Sequence, residues 1–382
     1  MKKSRIIKVI LFLMFSLLLV ACGKENASNE SVSENISVEE SSEESSEEAQ
    51  ATVRIVEDGL GRKVELPEKL ESIVCSGVGA LRYTSYLKAT DLVVGVEDYE
   101  KETSLTRLYN HVNYEHFKDL PVIGTNCEPN IEQIIQVNPQ LIVVSSSVKM
   151  DPDTLAKKTG IPVFSVPGSD TTLDDKAFET IDLLGMLYEK TDEAKRLRTY
   201  LEDLKKDLEK RTASVEEEKK LSAYVGGVSF KGRHGFEGTE AGYGPFKLIH
   251  AKNMADTTNQ EGAFNVDLEK ILEWDPEVIF IDYNGLDLVQ SQYEENPDFF
   301  QELQAVKNGK IYSQVCFRSY ASNLDTALAD AYYAGSILFP NKFSDIQLDE
   351  KISEIYTNLL GKDPSKDLIE AGYEFKELKL GE

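Results

Sequence analysis

Two stretches of this chain carry one pattern in the same register. The first is Asn130-Ile-Glu-Gln-Ile-Ile-Gln-Val-Asn-Pro-Gln-Leu-Ile-Val-Val144, and the second is Asp267-Leu-Glu-Lys-Ile-Leu-Glu-Trp-Asp-Pro-Glu-Val-Ile-Phe-Ile281. Glu132 aligns with Glu269, Ile134 with Ile271, Pro139 with Pro276 and Ile142 with Ile279, without a gap. Each copy reads as a short helix, a proline stop and a buried strand. One supersecondary unit used twice predicts two similar lobes. Two lobes leave a cleft, and clefts between domains are common ligand sites.

Between the copies lies an uninterrupted helical pattern, Thr191 to Arg211. Ala194, Leu197, Leu201, Leu204 and Leu208 recur at three- and four-residue spacing and form one apolar stripe. Thr191 is expected to cap it, with Asp192 and Glu193 in the first turn, where the macrodipole favours carboxylates. About 20 residues rising 1.5 Å each make a rod of roughly 30 Å. The spacing predicts a rigid rod joining the lobes.

The remaining segments alternate strand and helix. Thr52–Leu66 reads as a hairpin; strands follow at Ser72–Ser76, Leu92–Val96, Val122–Gly124 and Pro162–Val166, with helices at Ala80–Lys88 and Asp174–Tyr188. After the rod come a strand at Ser222–Gly226 and a glycine-rich loop from Gly227 to Pro245. A helix is expected from Phe246 to Ala251, a strand at Lys310–Gln314 and a helix over Asp325–Leu338. Strands alternating with helices imply parallel sheets with both faces covered. The expected fold is therefore α/β: two Rossmann-like lobes joined by one long rigid helix, with the ligand cleft between them.

The N-terminus reads differently. Lys2, Lys3, Arg5 and Lys8 make a basic start that overlaps an apolar run from Ile6 to Val20, then Ala21-Cys22-Gly23. A basic start, a short apolar core and small residues describe a secretion signal, since a membrane span needs about 20 apolar residues. Leu19-Val-Ala-Cys22 resembles the bacterial lipobox, which implies cleavage before Cys22 and a lipid on that cysteine. Residues 24–50 are mostly Ser, Glu and Asn; such a run cannot bury apolar surface and is expected to be a disordered tether. The expected layout is a signal peptide over 1–21, a tether over 22–51 and an N-terminal lobe over 52–173. A helical region follows over 174–213, then a C-terminal lobe over 214–345 and an acidic helical extension over 346–382.

The 382 residues carry a net charge of −25, which argues against nucleic acid as a partner. No G-x-S-x-G elbow and no P-loop GKS/T occurs, so no nucleophile or base is assigned for an extracellular enzyme. Apart from Cys22, the cysteines are Cys75, Cys127 and Cys316, without CxxC spacing; they read as small buried hydrophobes or as soft contacts to a ligand's metal. His111 and His116 lack the spacing of a zinc motif.

The lipobox, a first strand ending in Ser76-Gly77 before a helix, the duplicated Asn/Asp-x-Glu unit and the long helix between lobes together resemble a known family. It is the periplasmic-binding-protein family for iron complexes and cobalamin, and the resemblance covers roughly 53–340. It implies a non-enzymatic receptor without a cofactor, which hands its ligand to the permease dimer of an ABC importer. It implies a lipid-anchored place on the outer face of the cytoplasmic membrane, and the chain is expected to be a monomer. The family's ligands include ferric siderophores, haem, cobalamin, molybdate and tungstate. In the family an acidic residue of each lobe docks onto the permease, and Glu132 and Glu269 occupy those positions.

Open α/β sheets place ligands at the carboxyl ends of their strands. By that location the candidate contacts are Ser76, Arg82, Tyr83 and Ser146 from the first lobe. From the second come Lys231, Arg233, His234, Tyr243, Tyr283, Arg318 and Tyr320. Cations and phenols suit an anionic metal complex through charge-assisted hydrogen bonds and stacking. A ferric siderophore is the expected ligand; molybdate, tungstate, cobalamin and haem remain open. A bare divalent ion could use His111, His116, His234 and His250, but Arg82, Arg233 and Arg318 would repel it.

Overall fold

The computed structural model describes residues 53–168 and 172–381. The expected signal, the tether and Cys22 lie outside the described residues.

The two copies of the repeat fold alike, residue for residue. In the first, the helix Ile131–Val137 leads to strand Leu141–Ser145; in the second, Leu268–Trp274 leads to Val278–Asp282. Each helix ends on a left-handed residue, Asn138 (φ 50°) or Asp275 (φ 39°), the position just before the proline. Asn and Asp tolerate that conformation best after glycine, which explains their use there.

The strands assemble into two parallel sheets behind an antiparallel hairpin. The hairpin is β1 (Val53–Glu57) with β2 (Lys63–Pro67). The first lobe holds β3 (Ile73–Ser76), β4 (Val93–Glu97), β5 (Val122–Thr125), β6 (Glu128–Pro129), β7 (Leu141–Ser145) and β8 (Val163–Val166), in the order β6-β5-β4-β3-β7-β8. Only the short β6 runs antiparallel. The second lobe holds β9 (Ser222–Gly226), β10 (Gly238–Ala241), β11 (Lys252–Asn253), β12 (Gly262–Asn265), β13 (Val278–Asp282) and β14 (Ile311–Gln314). Its parallel sheet runs β11-β9-β13-β14, the same arrangement as β4-β3-β7-β8. The glycine-rich loop is not all loop: β10 lies within it and pairs antiparallel with β12. The helix expected at Phe246–Ala251 instead spans Gly244–Leu248.

The rod is a 22-residue helix, Thr191–Thr212, and its predicted stripe is buried throughout. Thr191 does not cap it. The cap position is Lys190, and Thr191 already lies inside the first turn without a side-chain cap bond. The rod packs on the helix Asp175–Leu187 of the first lobe and on Gly244–Leu248 of the second. A Cβ on Gly185 would sit 2.3 Å from that of Ala194, so glycine is what lets the two helices of the first contact approach so closely.

Alternation along β7 and β13 divides the interior. Leu141 and Val143, with Val278 and Phe280, face one common core that also takes Leu197, Leu201 and Leu208 from the rod. Ile142 and Val144 face a core under the first repeat helix; Ile279 and Ile281 face one under the second. The repeat helices thus cover the outer faces of their sheets.

The C-terminal segment is built into this body. The helix Leu348–Leu360 buries Ile352, Ile355, Tyr356 and Leu359 against Leu324–Leu338 and the helix Ala80–Tyr86. Beyond it, Ser313 N donates to Lys376 O (2.9 Å) and Leu378 N to Ile311 O (2.8 Å), so the tail covers the edge strand β14. An edge left bare would invite pairing with another chain.

Candidate functional site

The carboxyl ends of the strands converge in each lobe. In the first, Val78 N donates to Ser147 Oγ (2.6 Å), tying the turn after β3 to the turn after β7. In the second, Asn284 Nδ2 donates to Ser229 Oγ (2.7 Å), tying the turn after β13 to that after β9. A Cβ on Gly227 would lie 3.1 Å from Asp282 O, at a φ of 78°, so this close approach requires glycine.

The second-lobe loops line an open cavity of about 760 Å³. Lys231, Arg233, Arg318 and Tyr320 line it, together with Phe230, Asn284 and Ser319. Its wall holds three cations and no carboxylate. Each guanidinium is held by an acid outside that wall. Arg318 Nε donates to Glu240 Oε2 at 2.7 Å, and its terminal nitrogen meets the other oxygen, a fork that fixes the plane of the group. Arg233 pairs with Asp287, and its Nε donates to Asn284 O (2.6 Å). Glu240 is only 3 % exposed, so Arg318 neutralises a carboxylate that burial would otherwise penalise. His234 lies beside this group, with its ring stacked on Phe230 at 4.0 Å and its Nε2 donating to Phe230 O (2.9 Å).

Arg318 also lines a smaller cavity of about 260 Å³ between the lobes. Thr172 and Leu173 close it from the first lobe, Gly242 and Lys247 from the second, and Lys205 and Glu209 from the rod. At another contact the lobes meet through Tyr320, which stacks on Tyr99 at 4.2 Å while the Arg107 guanidinium lies over both rings.

Several expected contacts are placed elsewhere. Arg82 is fully buried and donates to the carbonyls of Ser319, Tyr320 and Ser322, so it supports the loop behind the cavity and does not line it. Tyr83 is buried in the common core. Tyr243 is buried with its hydroxyl 3.3 Å from Gln314 Oε1. Ser76 donates to Glu97, a buried carboxyl whose pKa is raised by desolvation. Ser146 lines a separate hollow of the first lobe with Gly59 and Lys176. Tyr283 packs its ring on Tyr373, 5.0 Å away. Arg82 and Tyr83 lie on the fully buried helix Ala80–Tyr86, which turns them into the core, and Arg82 is held there by the carbonyls it meets.

Sequence reasoning missed Arg107, Tyr99 and Glu240. Arg107 carried no motif, and Glu240 read as one more acid in an acidic chain. Cys75, Cys127 and Cys316 are all buried free thiols, and burial pushes Cys75 up to about 12. Among the described residues no three His, Cys, Asp or Glu side chains converge to hold a metal ion.

Residues 83–314 match the family model described as "Periplasmic binding protein". The chain belongs to the periplasmic binding protein family. As such it is a non-enzymatic solute-binding component of ABC importers that works outside the cytoplasm. It is similar to the molybdate-binding protein MolA of Haemophilus influenzae, 24% identical over 79% of this chain and 90% of that protein. It is also similar to the Fe(3+)-citrate-binding protein YfmC of Bacillus subtilis, at 26% over 57% of this chain and 65% of that protein. A periplasmic solute binding protein from Veillonella parvula superposes with a TM-score of 0.67 at 17% identity, covering 83% of this chain and 96% of that one. MolA bound to molybdate superposes at 0.65 with 22% identity, over 81% and 98%. As a periplasmic binding protein, the chain presents Glu132 and Glu269 at matched places. Both are exposed, each in the first turn of its repeat helix, on the outer side of its lobe.

Proposed function

We propose that this protein captures an anionic iron complex in the cavity of about 760 Å³ and delivers it to an ABC importer permease. The observation that carries the reading is the sign of the wall: Lys231, Arg233 and Arg318 line it, and the acids that orient the arginines stand outside it. With both arginines ion-paired, the wall's net positive charge comes from Lys231, while the paired guanidiniums still offer N–H donors, and both favour an anion. The volume lies within the roughly 300–1,000 Å³ of small-molecule sites and suits a chelate. Phe230 and Tyr320 add ring faces for an organic ligand shell. The similarity to the Fe(3+)-citrate-binding protein and to the haem-uptake protein IsdE of Staphylococcus aureus supports this reading. A ferric siderophore belongs to the same chemical class. Molybdate is the second reading, supported by the similarity to MolA across most of both chains.

In the same proposal, Glu132 and Glu269 dock on the permease, and Cys22 carries the lipid that anchors a monomer. The first lobe ends near residue 173 and the second begins near 214, with the rod's helical region between them.

Calorimetry with ferric citrate, a ferric tris-catecholate, molybdate and zinc chloride separates the readings. A ferric complex is expected to bind, and zinc is not. Arg318 is a poor probe, because removing it strands the buried Glu240. Lys231→Ala with Arg233→Ala leaves that pair intact and is expected to weaken binding about tenfold, the loss of charge-assisted contacts. Tight molybdate binding without ferric binding selects the second reading; unchanged affinity in the double variant removes this cavity as the site.

A further inference from the structure

The loop 318–321, just after β14, lines the cationic cavity and is also gripped by the first lobe. Two consecutive residues in it, Tyr320 (φ 52°) and Ala321 (φ 64°), hold the left-handed conformation, which is costly for a residue with a Cβ. Such strain persists only where the surroundings impose it, and ligand clamps are one place where it collects. Here it is imposed from far along the chain. Arg82 donates to Ser322 O (2.9 Å), Ser319 O (3.1 Å) and Tyr320 O (2.5 Å), and Thr106 Oγ1 donates to Ser319 Oγ (3.0 Å).

The ring of Tyr320 is fixed as well as its backbone. It lies on Tyr99 at 4.2 Å, with the planes 12° apart. The Arg107 guanidinium sits 5.1 Å from the Tyr320 ring centre and 5.2 Å from that of Tyr99. Arg107 is buried and donates to Tyr99 O (2.7 Å) and Glu102 O (3.2 Å). The Tyr99 hydroxyl bonds Glu97, which also accepts from Ser76 Oγ (3.0 Å) and Gly77 N (3.3 Å), so the platform is anchored to the turn after β3. Packing between lobes accounts for the stack, but a ring that served packing alone would be covered. Tyr320 stays 42 % exposed and lines the cavity, so its uncovered side is offered to whatever the cavity holds.

A tyrosine ring braced from behind and open in front suits one ligand chemistry above others. A flat aromatic ring of the ligand continues the stack, whereas an aliphatic chelate or a tetrahedral oxyanion has no face to lay on it. We propose, on the iron-complex reading, that the organic shell of the ligand carries aromatic rings and that Tyr99, braced by Arg107, is a positioning residue that holds Tyr320 against one of them. The first lobe then takes part in ligand choice through a residue that does not itself line the cavity.

The test is calorimetry on the full chain with a ferric tris-catecholate, which carries rings, and with ferric citrate, which carries none. Tyr320→Ala removes the contact and Tyr99→Ala the platform. Each is expected to lower catecholate affinity about fivefold and citrate affinity by less than about twofold. Tyr99→Phe keeps the stacking ring and is expected to keep both affinities near those of the parent. Damage to the fold lowers both ligands alike, so the ratio of the two affinities is the readout that a purely structural role leaves unmoved. A ratio unchanged in Tyr99→Ala, or a parent that binds citrate more tightly than catecholate, overturns the proposal and leaves the iron-complex reading in place. A parent that binds neither ferric complex overturns that reading itself, and the proposal falls with it.

Discussion

Asp282 ends β13, and the chain turns from it directly into Tyr283 and Asn284 at the candidate site. Its Oδ1 accepts from Asn284 N at 2.8 Å, which holds the turn. Burial disfavours its charged form and pushes its pKa from the ordinary 3.8 up to about 7. The linkage has the sign of a raised acid: the folded state binds the proton more tightly than the unfolded one. That stabilisation is fully present below 3.8 and is lost as pH rises through about 7. Asp282→Asn keeps an acceptor for Asn284 N and cannot ionise. Its Tm relative to the parent is therefore expected to rise between pH 5 and pH 8. A difference that stays flat across thermal melts at those two pH values would show that Asp282 titrates normally.

At the scale of elements, the rod is more than a spacer. Leu201 is fully buried near its middle, in the core that both sheets share. Leu201→Ala is expected to cost about 2–5 kcal/mol, the usual range for a buried leucine. Because the core is common, the loss is expected to lower one transition and not to split it. Trp274, the chain's only tryptophan, reports on the second repeat helix, so its fluorescence and the far-UV circular dichroism should still coincide in urea. Two separated transitions would mean that the lobes fold independently. The rod's stripe and both repeat units were legible in the sequence because periodicity reports burial directly. The ribbon of β10 and β12 was not, because Gly238-Thr-Glu-Ala241 and Gly262-Ala-Phe-Asn265 do not alternate apolar with polar residues. The cationic wall was legible only in part. Lys231, Arg233, Arg318 and Tyr320 were recognised as cation and phenol at strand ends. Nothing local in the sequence separates these from Arg82, whose partners are carbonyls more than two hundred residues away.

For the whole molecule, the duplicated unit has a consequence that neither lobe has alone. Each copy carries its glutamate at the same turn of the same helix, and each helix covers the outer face of its sheet. A dimeric permease offers two related surfaces, and two equivalent carboxylates on one rigid body can meet both at once. If Glu132 and Glu269 dock as proposed, each contact alone would be an exposed charge pair that contributes little; engaged together, the second would form without a further loss of translational freedom. Charge reversal should then be strongly non-additive. Glu132→Lys or Glu269→Lys alone is expected to reduce uptake of the ligand in cells, and the two together to abolish it. Ligand affinity measured by calorimetry on the purified double variant should stay within about twofold of the parent, since both positions lie outside the cavities at the strand ends. A double variant that still supports uptake would remove these carboxylates from the docking surface. One that loses ligand affinity would place their effect in the fold, where the first turn of each repeat helix depends on its acid.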